Sequence, residues 1–187
     1  MIDTTVFNPF PLLETEQLLF RKITLEDTQD LFAIRSDINV VKYLGRDRIM
    51  DTHEVIDNIK ILEEALKNGE GIRWGITMKP SNKIIGSIGF WKLNKPHFRA
   101  EIGYDLHPDY WSRGIMTEAI KIVSEFGFKK MKLHSIEANT DKDNRATHKV
   151  LIKNGFVKEA HFKENYYYNG VFIDSVIYSL LNPFQEQ

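Results

Sequence analysis

The run Ala100-Glu101-Ile102-Gly103-Tyr104-Asp105-Leu106 reads as a strand. It is followed almost at once by Tyr110-Trp111-Ser112-Arg113-Gly114 and then by an amphipathic segment. In that segment Met116, Ala119, Ile120, Val123 and Phe126 recur on one side at helical spacing. The order strand, short polar turn, glycine, helix leaves little freedom. The first amides of a helix have no internal partner, and the aligned peptide dipoles make that end electropositive. With Gly114 there, a phosphate can approach the bare backbone. The turn therefore predicts a phosphorylated ligand, although glycine also precedes many helices that bind nothing.

What accompanies this turn narrows the chemistry. The chain has 187 residues, enough for one domain with a sizeable core, and one domain over residues 1–187 is expected. Its formal net charge of -1 supplies no global pull toward nucleic acid or a membrane surface, so neither is expected as a partner. Asp3 and Glu14 replace the basic start of a secretion signal, and no apolar run is long enough to span a bilayer. A cytoplasmic location is expected. There is no cysteine, which excludes disulfides, thiolate metal sites and a cysteine nucleophile. An acyl transfer through a thiol would need the thiol to arrive on a cofactor. The six histidines form no His-x-x-x-His pair, and no metal is expected.

Phe7 to Pro11 reads as an extended arm, and 15–23 as a strand. Thr24 and Asp27 read as a helix cap before Leu31, Phe32, Ile34 and Ile38 at helical spacing. A second helix is predicted over 52–67, ended by Asn68-Gly69. Strands follow over 72–78, 83–93 and 99–106, then the helix from Gly114, a strand over 133–138 and a helix over 144–154. Two last strands, 156–168 and 171–181, meet at Asn169-Gly170, a pair suited to a tight hairpin turn. This order implies an α/β (α+β) domain with a mixed sheet flanked by helices.

Order and motifs together resemble the GNAT superfamily of acyl-CoA N-acetyltransferases, and within it the RimJ/RimL-like branch that acetylates ribosomal-protein N-termini. Four stretches carry the resemblance along nearly the whole chain: 15–21 as the opening strand, 100–104 as the central strand, Trp111-Ser112-Arg113-Gly114 with 117–119 as the pyrophosphate loop, and 144–147 leading to Lys153-Asn154-Gly155-Phe156. The resemblance implies a mostly antiparallel sheet of about seven strands, splayed in the middle, with about four helices. It also implies acetyl-CoA as co-substrate and an amine acceptor, either a protein N-terminus or a small molecule. A non-catalytic acyl-CoA-binding module is the rival from another class. Whether the chain is a monomer or a homodimer does not follow. Three departures stand out. Trp111 and Met116 occupy the loop positions usually held by Gln or Arg and by Gly or Ala, so the Met116 side chain must turn inward. Thr147 stands where Ser is common. Leu151 stands where many members carry the Tyr that reprotonates the thiolate.

The resemblance assigns the pyrophosphate to Ser112, Arg113, Gly114, Ile115, Met116 and Thr117, and the pantetheine to backbone near Tyr104 and Leu106 and to Asn144 and Thr147. Thr147 is the catalytic candidate for supporting the departing thiolate, and Asn144 is equally an N-cap of its own helix. Glu101, a carboxylate inside an apolar strand, needs a partner. It is either a general base for the amine, a role that desolvation favours, or one half of a salt bridge with Arg99 or a distant lysine. Asp174 is read as a structural hydrogen-bond acceptor, with contact to a substrate ammonium as the alternative. His107 and His148 are read as surface residues. Lys129, Lys130 and Lys132 are read as a solvated face, or as a source of one contact to the 3′-phosphate. The acceptor groove falls to 41–52 and 164–172, which carry no readable code.

Overall fold

Leu18, Phe20, Trp74, Ile76, Ile88 and Ile102 alternate with less buried, polar or small neighbours along their strands and are all buried. This period-two pattern builds one sheet with an apolar layer on the side covered by the helix that follows Gly114. The computed structural model describes residues 1–184. Its strands are β1 (Leu13–Glu14), β2 (Leu18–Lys22), β3 (Ile72–Met78), β4 (Ile84–Asn94), β5 (Arg99–Leu106), β6 (Ser135–Asp141), β7 (Val157–Tyr168) and β8 (Val171–Leu181). Their spatial order is β1-β2-β3-β4-β5-β6-β8-β7. Every neighbouring pair is antiparallel except β5 and β6, which are parallel.

The helices are α1 (Thr28–Arg35), α2 (Ile38–Val41), α3 (Thr52–Lys67), α4 (Ile115–Lys129) and α5 (Arg145–Lys153). The main core gathers one face of the sheet with Ala119, Ile120, Val123 and Phe126 of α4. A second cluster, with Ile23, Leu31, Ile34, Val55, Ile59 and Ile84, seats α1 and α3 on the opposite face. Met116, at 8% exposure, turns inward as its length demands.

The counts exceed expectation by one strand and one helix. The extra strand, β1, has two residues, too few for any periodicity to register. The extra helix arises because the segment from Leu31 to Ile38 is not continuous. Helix α1 stops at Arg35, and the Asp37 carboxylate then accepts from the Asn39 amide to start the four-residue α2. The expected strand over 15–23 contracts to β2, and that over 133–138 shifts to β6. The N-terminal arm is not a loose extension. Ile2 and Phe7 are buried, a short 3₁₀ turn spans Thr5–Phe7, and the Trp74 indole donates to the Pro11 carbonyl at 2.7 Å.

Candidate active site

Helix α4 begins without a side-chain cap. Gly114 is its N-cap residue at φ +79°, and a Cβ there would meet nothing within 4 Å. The positive φ accounts for the glycine, and the open space lies in front of the uncapped amides. Ser112 also has a positive φ, of +61°. Ile115 and Met116 send their side chains into the core, so the first turn faces outward with backbone. The Trp111 indole donates to the Leu106 carbonyl at 2.8 Å and ties this loop to the end of β5. Arg113 is exposed and stacks its guanidinium 5.4 Å from the centre of the Tyr110 ring.

Two strands part next to this helix start. β5 and β6 pair only at Arg99↔Ser135, Ala100↔Ile136 and Glu101↔Glu137. Beyond Glu101 the pairing ends, while β6 stays bonded to β8 as far as Asp141. The stretch Ile102–Leu106 therefore has a sheet partner on β4 alone. The expected splay is present, and its vertex is Glu101.

Helix α5 starts over the opened stretch. The Asn144 amide oxygen accepts from the Thr147 backbone N–H at 3.1 Å, so the N-cap role is real. The Tyr104 hydroxyl is buried and makes no hydrogen bond of acceptable geometry, yet the Thr147 side chain is near enough to act on it. Burial pushes the Tyr104 phenol well up, with Thr147 opposing, and it stays protonated. Leu151 is fully buried, so no hydroxyl enters from that position.

The opposite face of β5 is charged. Strand register places Trp91 beside Glu101, Gly89 beside Gly103 and Ser87 beside Asp105. Glu101, 7% exposed, accepts a 2.7 Å contact from the Lys92 ammonium. Simple alternation would send Lys92 to the other face. A break in register between Trp91 and Asn94, with Lys92 at φ +45°, instead brings it over the Trp91 ring and onto Glu101. Arg99, the other expected partner of Glu101, pairs with Glu137 at 2.9 Å.

Asp105 lies four residues further along the same face. It accepts from the Ser87 hydroxyl at 2.6 Å and from Arg73 at 3.3 Å. The Arg35 Nε approaches it at 3.5 Å without hydrogen-bond geometry. Burial pushes the Asp105 carboxyl up, but Arg73 and Arg35 outweigh this and hold it below its ordinary value. Burial pulls the Arg73 guanidinium down to about 10, with Asp105 opposing and Arg35 and Arg46 reinforcing the shift. Arg46 is an exposed residue, and Arg35 and Asp105 are near enough to act on its charge. Loss of water and the nearby Arg35 lower its pKa, and Asp105 opposes.

The loop carrying Arg46 is tied to the β7–β8 hairpin. The Tyr166 hydroxyl donates to the Gly45 carbonyl at 2.9 Å, and the Tyr168 hydroxyl to the Asp47 carboxylate at 2.7 Å. The segments expected to build an acceptor groove, 41–52 and 164–172, are thus brought together. Arg35, Arg46, Arg73, Lys92 and Asp105 escaped the sequence reading. A signal existed for Asp105, which interrupts the same apolar run as Glu101 four positions later.

Other candidates fall elsewhere. Asp174 is engaged by His161 at 2.7 Å, Lys142 at 3.3 Å and the Glu164 amide at 3.0 Å. The Glu164 amide and His161 hold its carboxyl down at about 2, as a structural acceptor would be. His148 contacts the Asp141 carbonyl and the Tyr178 ring, and so is less free than a surface residue. Lys129 pairs with Glu125 and lies over Phe184, and Lys132 donates to the Lys129 carbonyl. These lysines sit at the far end of a 15-residue helix. At about 1.5 Å per residue that is roughly 20 Å from Gly114.

Comparison with known proteins agrees with this fold. Residues 17–157 match the acetyltransferase (GNAT) domain family. The uncharacterized N-acetyltransferase YoaA of Bacillus subtilis (strain 168) is 37% identical over 174 residues, 93% of this chain and 98% of that protein. A GNAT-family acetyltransferase structure from Bacillus anthracis superposes with a TM-score of 0.82 at 26% identity, covering 92% of this chain and 99% of the other. Relatives with named acceptors divide. The [ribosomal protein uS5]-alanine N-acetyltransferase of Escherichia coli (strain K12) is 26% identical over 124 residues, 66% of this chain and 64% of that protein. The spermidine N(1)-acetyltransferase of the same strain is 26% identical over 91 residues, 49% of each. An uncapped helix start beside a sheet that opens at a buried carboxylate, and a family match over most of the length, lead to one conclusion: the chain belongs to the GNAT acetyltransferase family and is an acyl-CoA-dependent N-acetyltransferase.

Proposed function

We propose that this enzyme transfers the acetyl group of acetyl-CoA directly to a protein N-terminal α-amine, in the manner of the RimJ/RimL-like branch. The observation that carries the reading is the position of Glu101, at the vertex of the opened sheet and on the same face of β5 as Asp105. The amides of Ile115, Met116 and Thr117, with Ser112, Arg113 and Gly114, take the pyrophosphate. The pantetheine lies along the opened edge of β5 near Tyr104 and Leu106 and meets Asn144 through its amide nitrogen. A backbone amide near Tyr104 to Leu106 polarises the thioester carbonyl.

Glu101 accepts the proton of the attacking amine, directly or through water. The amine adds to the thioester carbon, the carbon–sulfur bond breaks, and the thiolate leaves with the electron pair. Thr147, backed by the Tyr104 hydroxyl that stays protonated, donates a hydrogen bond to that sulfur in place of the tyrosine that Leu151 replaces. An α-amine, with a pKa of about 8, needs less help from a base than a lysine at about 10.4. Acetylation of a small-molecule amine is the second reading, and the spermidine-acetylating relative is what favours it.

Initial rates measured with acetyl-CoA and N-terminal peptides are expected to give intersecting lines, because both substrates are bound before transfer. Parallel lines would indicate an acyl-enzyme and overturn the direct route. Turnover with small amines alone would move the acceptor to the second reading.

A further inference from the structure

The charges on the groove face do not balance. Arg35 at 3.5 Å and Arg73 at 3.3 Å bring two largely buried guanidiniums to one carboxylate, Asp105, and the exposed Arg46 adds a third positive charge near it. Lys92 does not shift this count, because it is matched by Glu101. Buried charge without a counter-charge is unfavourable, so an arrangement of this kind calls for an anion from outside the chain.

Two details show where that anion would sit. Arg35 is 4% exposed, and its Nε has no hydrogen-bond partner. Arg73 reaches over Gly103, where a Cβ would stand 3.7 Å from its Nη1 and 3.9 Å from the Trp91 indole nitrogen. Gly103 lies two residues from Glu101 on the same face of β5. Two residues of strand span roughly 6.5–7 Å. An amine at Glu101 and an anion under Arg73 are therefore one short molecule apart. Arg46 comes from the loop that the β7–β8 tyrosines hold in place, and its charge is near enough to act on Arg35 and Asp105.

We propose that the acceptor is a primary amine carrying a carboxylate or phosphate roughly 6–7 Å from its nitrogen, and that Arg73, Arg35 and Arg46 bind that anion. This rests on the reading that the groove face takes the acceptor. The guanidinium fork suits either anion. The same three charges repel a polyamine, so the site selects against spermidine-like acceptors.

The test uses matched acceptors with acetyl-CoA and the full chain. O-phosphoethanolamine is paired with ethanolamine, and a peptide beginning Ala-Glu with the same peptide beginning Ala-Gln. Spermidine is included. The anionic member of each usable pair is expected to have a kcat/KM about tenfold or more above its neutral twin. Arg46→Gln and Arg73→Gln should each bring that ratio toward one, and thermal melts identify any variant that fails to fold. Arg46 is exposed, so its variant decides if Arg73→Gln unfolds. Ratios of one or below in the unmodified enzyme, ratios unmoved by Arg46→Gln, or spermidine as the best acceptor overturn the proposal. Peptides inert in both forms, with O-phosphoethanolamine consumed, refute the protein N-terminus and leave the anion site standing. Acidic and neutral peptides consumed equally do the reverse. If no amine turns over, calorimetric titration of the CoA-loaded enzyme with O-phosphoethanolamine and ethanolamine decides. Equal or absent heats then reject the site.

Discussion

Gly114→Glu is expected to abolish coenzyme A binding by calorimetry while leaving the fold intact. Three effects must be separated. A non-glycine residue at φ +79° is strained by about 1–2 kcal/mol. A carboxylate at a helix N-terminus is favourable for the free protein, because it answers the dipole and the unpaired amides. That same carboxylate then occupies the ground a pyrophosphate needs and repels it. The first two effects oppose each other in stability, and only the third acts on the ligand. Gly114→Asn isolates strain, since asparagine tolerates the left-handed region and carries no charge. It should retain measurable affinity. Space is no obstacle to either side chain, because nothing lies within 4 Å of the position. If Gly114→Glu binds coenzyme A with unchanged affinity, the diphosphate is not held at this helix start.

Much of this architecture could be read from the chain. Strands β3 and β5 and helix α3 agree with expectation to the residue, because each has a clean apolar period bounded by a cap or a turn residue. The loop was legible for the same reason: its glycine follows a strand and opens a helix. The charged face was not. Beyond Glu101, its members are Arg35, Arg46, Arg73, Lys92 and Asp105: strand register brings Arg73, Lys92 and Asp105 to Glu101, while α1 and the loop after α2 add Arg35 and Arg46. Lys92 was out of reach for a local reason, since an irregularity in β4 reverses the face that alternation assigns. The Tyr104–Thr147 approach depends on how α5 lies over the opened sheet, which no periodicity encodes. The two segments expected to build an acceptor groove carried no readable code, because hydrogen bonds from tyrosine hydroxyls join them across 121 positions.

Glu101→Gln is expected to lower kcat by about 10²–10⁴ with little loss of stability. The small stability term follows from the partner. The Lys92 side chain is 64% exposed, and an ion pair with one member in water contributes only about 0–1 kcal/mol. A glutamine can still accept from the same ammonium, so the contact is weakened rather than removed. The large kinetic term follows if the carboxylate receives the proton of the amine, because an amide has no basicity to offer. A purely structural Glu101 gives the opposite pattern. Lys92→Met would then match Glu101→Gln in melting temperature and in rate, since each removes the same pair. If Glu101 is the base, Lys92→Met falls far short of Glu101→Gln in its effect on kcat. The pH–rate profile supplies the deciding readout. Retention of wild-type kcat and of an unaltered acid limb by Glu101→Gln removes the base role, and leaves the carboxylate as the counter-charge that holds Lys92 over Trp91.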